Sequence, residues 1–98
     1  MAYEELISNY TIYRLTLTDA NTEYSQAITA QPCRFTVSLD DLTSTARFTL
    51  TSGASGTGKR IFQGGEWHTP KPFGAFAKTI YAQSPNAGAI LVIEEYKV

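Results

Sequence analysis

From Thr11 onward, apolar and polar residues alternate with a period of two. Tyr13, Leu15 and Leu17 fall on one face and Arg14, Thr16 and Thr18 on the other. Cys33, Phe35, Val37 and Leu39 alternate with Arg34, Thr36, Ser38 and Asp40, and Ala46, Phe48 and Leu50 with Arg47, Thr49 and Thr51. Successive side chains of a strand point to opposite faces, so this pattern predicts strands with one face in a core and one toward water. Turn formers separate the runs: Asp19-Ala20-Asn21, then Gln31-Pro32, then Asp40-Asp41. A short strand is predicted over 23–28 and another over 60–63. Gly64-Gly65 turns the chain into Glu66-Trp67-His68, and Thr69 to Phe76, with Pro70, Pro72 and Gly74, is predicted to be irregular.

The closing stretch, Lys78 to Val98, organises the rest. Ala89 to Ile93 is a run of five apolar residues, too short for a buried helix and rich in β-branched side chains. It is read as a strand buried on both faces at the centre of a sheet. Pro85-Asn86-Ala87-Gly88 reads as a four-residue turn, so Lys78 to Ser84 is expected to pair with that strand as an antiparallel hairpin. Seven or eight short strands with no convincing helix predict an all-β fold, a small antiparallel β-sandwich (jelly-roll-like) or a barrel. Phe35, Val37, Phe48, Leu50, Ile80, Leu91 and Ile93 are the expected core. Residues 11–98 read as a single β-sandwich domain. Residues 1–10 fit either a short helical turn with acids at its start or an extended arm.

Ninety-eight residues are enough for one domain with a thin core. A net charge of −1, with only 17% charged residues, gives no general attraction to nucleic acid or to a membrane surface. No apolar stretch approaches the ~20 residues of a spanning helix, and there is no basic-then-apolar signal start. The chain is therefore expected to be made and used whole, in soluble form. The single cysteine, Cys33, has no internal disulfide partner and is read as a buried small hydrophobe. Asn9-Tyr10-Thr11 matches a glycosylation sequon, a pattern common by chance.

Several motifs invite a chemical reading and fail on it. Gly53-Ala54-Ser55-Gly56-Thr57-Gly58-Lys59 meets the Gly-x4-Gly-Lys part of a phosphate-binding loop. Arg60 stands where such a loop needs Ser or Thr for magnesium, and Gly64, Gly65, Pro70 and Pro72 forbid the helix that should follow. The segment is expected to be a flexible loop that binds no nucleoside triphosphate. Asp40-Asp41 and Glu94-Glu95 are read as solvated strand ends, because neighbours on a strand face opposite ways and cannot converge on one substrate. His68 has no companion at metal-ligand spacing, and any Ser-His-Asp set would be arbitrary. No catalytic, cofactor-binding or metal residue is assigned, and no cofactor is expected. Lys59, Arg60, Lys71 and Lys78 against Glu66 make residues 59–78 locally basic, with Trp67, Phe73 and Phe76 among them. That segment suits an acidic protein surface, single-stranded nucleic acid, or an ordinary loop with its rings folded inward.

The run Arg14-Leu15-Thr16-Leu17-Thr18-Asp19-Ala20-Asn21-Thr22-Glu23-Tyr24-Ser25-Gln26-Ala27-Ile28, the Gly/Ser-rich middle loop, and a close of Thr79 to Ser84, Ala87-Gly88-Ala89 and Val92-Ile93-Glu94 resemble small virion proteins of tailed bacteriophages. The resemblance covers most of the chain and transfers no catalytic residue. It implies a non-enzymatic viral structural protein: a capsid cement or decoration protein that binds across capsid subunits and stabilises the phage head. The alternatives are a tail, neck or fibre component, or a glycan- or ligand-binding β-sandwich with Trp67 as stacking platform. The implied partner is the major capsid protein or another virion protein, with no direct nucleic acid and no membrane. The implied state is a homo-oligomer, a trimer fitting threefold positions, located in the virion after assembly in the host bacterial cytoplasm. Tyr3, Leu6 and Ile7 of the arm, and Trp67, Lys71 and Phe73 of the loop, are the expected interface residues.

Overall fold

The computed structural model describes residues 10–28, 33–41, 43–61, 65–69 and 78–97. They form eight strands: β1 (Tyr10–Leu17), β2 (Tyr24–Ile28), β3 (Cys33–Leu39), β4 (Ala46–Thr49), β5 (Lys59–Ile61), β6 (Glu66–His68), β7 (Lys78–Gln83) and β8 (Ala89–Lys97). A single 3₁₀ turn, Ser55–Thr57, lies between β4 and β5. Two four-stranded sheets stack face to face, in the orders β1-β8-β3-β6 and β2-β7-β4-β5, and every pairing is antiparallel.

The pairing is nested: β1 with β8, β2 with β7, β3 with β6, β4 with β5. Partner numbers total 106 in the first two ladders (Leu17↔Ala89, Ile28↔Lys78), 104 in the third (Thr36↔His68) and 107 in the fourth (Phe48↔Lys59). The chain is thus one long antiparallel ribbon, doubled back near residue 53 and rolled into two sheets. That is a jelly roll, built from two Greek keys. Gly53 sits at the fold-back with φ +81°, a backbone state that glycine adopts without strain.

The rolled ribbon corrects the expected terminal hairpin. Lys78–Gln83 and Ala89–Lys97 lie in opposite sheets, and residues 84–88 cross between them. Ser84, fully buried, donates from Oγ to Thr45 O at 2.6 Å, and Asn86 Oδ1 accepts from Thr45 N at 3.1 Å. Gly88 N donates to Leu17 O at 2.8 Å, and Asn21 N to Ser84 O at 2.7 Å. The crossing is therefore fastened to both sheets. A β-turn looks the same in sequence whether it joins neighbours in a sheet or passes across a sandwich.

The core is the interleaving of the two inner faces: Leu17, Phe35, Val37, Ala89, Leu91 and Ile93 from one sheet, and Ile28, Ala46, Phe48, Ile61, Ile80 and Ala82 from the other. β8 does hold the centre of its sheet, between β1 and β3. Only its Ala89-Leu91-Ile93 face is buried; Ile90 and Val92 are partly exposed on the outer face. Leu50 is a second correction: β4 ends at Thr49, and Leu50 is 42% exposed. The next residues must turn back toward β5, so the alternation stops one residue short of it.

Candidate functional site

Of the residues expected at an interface, Tyr3, Leu6, Ile7, Lys71 and Phe73 lie outside the described residues. Trp67 lies within them, on the short edge strand β6 opposite Val37. Its ring packs 5.6 Å from Phe35 at 46° and 5.1 Å from Phe48 at 63°. These tilted and edge-on geometries are the favoured ones for aromatic pairs. Mostly buried, Trp67 packs between the sheets against Phe35 of one and Phe48 of the other. Its remaining surface borders a shallow cavity with Lys59, Arg60 and Glu66. The basic segment also divides: Lys59 and Arg60 are exposed, whereas Lys78 is 4% exposed, inside the sandwich.

The Gly-rich loop is a built structure whose amides already hold an anion from the chain itself. Glu23 Oε2 accepts from Gly53 N at 2.9 Å, and Oε1 accepts from Ser55 N at 3.1 Å and Ser55 Oγ at 2.6 Å. The Ser55 hydroxyl and the Gly53 amide hold the Glu23 carboxyl below its ordinary value. The Gly53 and Ser55 amides are satisfied by this side chain, and those of Ala54, Thr57 and Gly58 by backbone carbonyls. Gly58 is fixed by packing: a Cβ there would lie 2.3 Å from Phe48 O, so nothing larger fits without moving the β4 backbone. The expectation of a merely flexible loop is corrected accordingly.

At one end of the sandwich interior, Tyr13, Cys33, Lys78 and Glu95 come together from β1, β3, β7 and β8. Glu95 and Cys33 have no exposed surface, which corrects the reading of Glu94-Glu95 as a solvated strand end. Glu95 continues the inward parity of Ala89, Leu91 and Ile93; Glu94 points to the outer face. Tyr13 Oη donates to Glu95 Oε1 at 3.2 Å. Burial, then the Glu95 charge and hydrogen bond, push the Tyr13 hydroxyl up. Burial likewise pushes the Cys33 thiol up, against the positive charge of Lys78 and together with Glu95. A thiol held protonated and without solvent access is a poor nucleophile, so the cluster acts as a polar staple between sheets. Cys33 is buried as expected, in mixed polar company rather than among apolar side chains alone.

On the outer face of the β1-β8-β3-β6 sheet, both ring nitrogens of His68 are engaged. Nε2 lies 2.9 Å from Glu66 Oε1, and Nδ1 lies 3.1 Å from Thr36 Oγ1. An Nε2–H tautomer satisfies both, donating to Glu66 and accepting from Thr36. Arg14 and Asp40 pair at 3.0 Å on the same face. Asp41 turns the chain after β3: Oδ1 accepts from Thr43 N at 2.8 Å and Ser44 N at 2.6 Å, and these amides hold its carboxyl below the ordinary range. Between the charges runs an apolar strip. Ile12 is 51% exposed and Tyr96 44%, with Ile90 and Val92 partly exposed along β8. Ile12 stands opposite Glu94, diagonal to both Val92 and Tyr96. A cavity of about 320 Å³ lies at the Tyr96 end of this face, lined by Arg34, Phe35, Thr36, His68, Thr69 and Tyr96.

Among the described residues, no group of three or more His, Cys, Asp or Glu is placed to hold a metal ion. No helix among them is long and apolar enough to cross a membrane. No protein-family model, no curated protein and no solved structure matches the chain.

Proposed function

We propose that this chain is a non-enzymatic structural protein of a phage particle, a cement or decoration subunit seated on the capsid surface. The observation that carries the reading is the outer face of the β1-β8-β3-β6 sheet, where Ile12, Ile90, Val92 and Tyr96 form an apolar strip interrupted by Glu94 and flanked by Arg14 and Arg34. An apolar strip rimmed by charges is the composition of a protein-contact surface. The jelly roll adds a fold-level analogy, since viral capsid and lectin domains use it, and analogy of fold alone assigns no function. A cement protein asks for a stiff body repeated at many identical sites, where weak single contacts add through multivalency. Closed symmetry at threefold positions suits a trimer.

The test is copy number on purified capsids, by quantitative mass spectrometry, for wild type and Ile12→Glu. Ile12 is on an exposed edge-strand face, so the variant should fold, and circular dichroism checks this. Wild type should co-sediment with capsids and Ile12→Glu should load at reduced occupancy. Failure of the folded wild type to co-sediment would refute the reading. Tyr96 beside its cavity favours the second reading, a glycan-binding sandwich, with Tyr96 rather than Trp67 as the stacking ring. Glycan-array binding lost on Tyr96→Ala, without capsid affinity, would establish that alternative.

A further inference from the structure

Glu66 and His68 stand two residues apart on β6, so both point to the outer face of the sheet while Trp67 between them points into the core. The neighbouring strand β3 fixes their places, with Ser38 opposite Glu66 and Thr36 opposite His68. Glu66 Oε1 and His68 Nε2 are 2.9 Å apart, and the two side chains are 50% and 64% exposed, so an ion from solvent can reach both atoms. On its other side the ring is held by Thr36, whose Oγ1 lies 3.1 Å from Nδ1 and which is itself only 6% exposed. His68 is the chain's one histidine.

Zinc bonds to histidine nitrogen run about 2.0–2.1 Å and to carboxylate oxygen about 2.0–2.2 Å. Two such bonds whose outer atoms are 2.9 Å apart meet at about 90°, the angle between neighbouring ligands in a five- or six-coordinate shell. Opening the pair by roughly half an ångström reaches the tetrahedral angle, a small movement for two exposed side chains. One imidazole nitrogen with one carboxylate oxygen suits a first-row divalent ion, whereas magnesium and calcium favour shells of oxygen. A metal-bound histidine characteristically donates its second ring N–H to a fixed acceptor, which sets the tautomer and the aim of the ring. Thr36 is in place for that role. With an ion on Nε2 the ring proton moves to Nδ1, and the Thr36 hydroxyl turns from donor to acceptor with no proton lost.

We propose that Glu66 and His68 form a surface chelate for a divalent transition ion of the zinc class, with Thr36 as the positioning residue that aims the imidazole. The expectation that His68 lacks a companion at metal-ligand spacing is revised: on a strand the residue two places away shares the face. Two protein ligands leave the rest of the shell to water, and Lys59 and Arg60, which line a cavity with Glu66, oppose the ion's charge. The bound ion is therefore an exchangeable one. The site lies at the β6 edge of the sheet whose other edge, β1, carries Ile12, and it stands whether or not the virion reading does.

The experiment is a calorimetric titration of the untagged full chain with zinc chloride in a non-chelating buffer, with magnesium chloride as a second arm and nitrogen-15 NMR of the single imidazole. One zinc should bind per chain, and magnesium at equal concentration should not. At saturation the imidazole proton should have moved from Nε2 to Nδ1, a change that a purely structural Glu66–His68 pair would not make. Glu66→Gln and His68→Gln, both at exposed positions, should abolish saturable binding while circular dichroism stays that of wild type. Thr36→Val should weaken binding roughly tenfold or more, as expected for losing the hydrogen bond behind a ligand, and Thr36→Ser should restore it. No saturable zinc binding by the wild type overturns the site, as does binding that either ligand variant retains. An equal response to magnesium overturns the part given to the imidazole. An unchanged tautomer at saturation overturns coordination at Nε2, and wild-type binding by Thr36→Val overturns the positioning role.

Discussion

Replacing Trp67 with alanine separates two roles for the same ring. As an interface anchor it would leave the free protein's stability alone; as a ring packed between the sheets it would not. A fully buried Trp removes up to about 250 Å² from water, so Trp67, with at least about two-thirds of its surface buried, removes roughly 160–230 Å². At about 25 cal/mol per Å² this is roughly 4–6 kcal/mol. The contacts to Phe35 and Phe48 each add about 0.5–1.5 kcal/mol beyond area. Relaxation of β6, a three-residue edge strand, into the gap returns part of this. The expected loss is about 3–5 kcal/mol, a large part of the roughly 5–15 kcal/mol that holds a domain folded. Urea denaturation followed by far-UV circular dichroism measures it, since the variant lacks the chain's one tryptophan. In the wild type that tryptophan should emit from an apolar setting and shift red on unfolding. A Trp67→Ala variant within about 0.5 kcal/mol of wild type would refute the packing argument and return Trp67 to the interface.

Leu91→Ala should cost about 2–5 kcal/mol, while Leu50→Ala should stay within about 0.5 kcal/mol; equal losses in denaturation would put Leu50 back in the core. Gly58→Ala should destabilise by about 1–3 kcal/mol or more through its collision with Phe48 O, whereas Gly56→Ala, whose added Cβ meets only the flexible Gln83 side chain at 3.6 Å, should be mild. Comparing the two midpoints checks the loop geometry. Glu23 and Asp41 are held below their ordinary values of 4.5 and 3.8, so their stabilisation is full above those values and is lost as pH falls through the lower folded-state ones. Melting temperature against pH should therefore fall in acid, and Glu23→Gln should flatten that limb; an unchanged limb would show that the Gly53 and Ser55 bonds to Glu23 do not form.

The alternation of Tyr13-Leu15-Leu17 and of Cys33-Phe35-Val37-Leu39 was enough to read two strands and their inward faces, because burial repeats with the pleat. Partner choice was not legible, because Pro85-Asn86-Ala87-Gly88 specifies a change of direction and not which sheet receives the next strand. Glu95 had the parity of an inward residue; its carboxylate argued for water, and only the convergence of Tyr13, Cys33 and Lys78 from three other strands accounts for its place inside. The Thr36–His68 contact and the seating of Glu23 under Ser55 each join segments 32 residues apart, which no local pattern encodes.

The nested register sets an order of assembly. The nearest partners are 11 residues apart in β4–β5 (Phe48, Lys59), 28 in β3–β6 (Ser38, Glu66), 50 in β2–β7 (Ile28, Lys78) and 72 in β1–β8 (Leu17, Ala89). Closing the outermost ladder first would cost about 1.6 kcal/mol more chain entropy than closing the innermost. Once β2 and β7 are joined, the same ladder needs only the links 18–23 and 84–88 to be fixed. Folding should run as a zipper from the Gly53 bend toward Tyr10 and Tyr96, slowed by the long separations at its far end. Run in reverse, the zipper opens at the edge strand β1, whose amides should be the first of the large ladders to exchange with solvent.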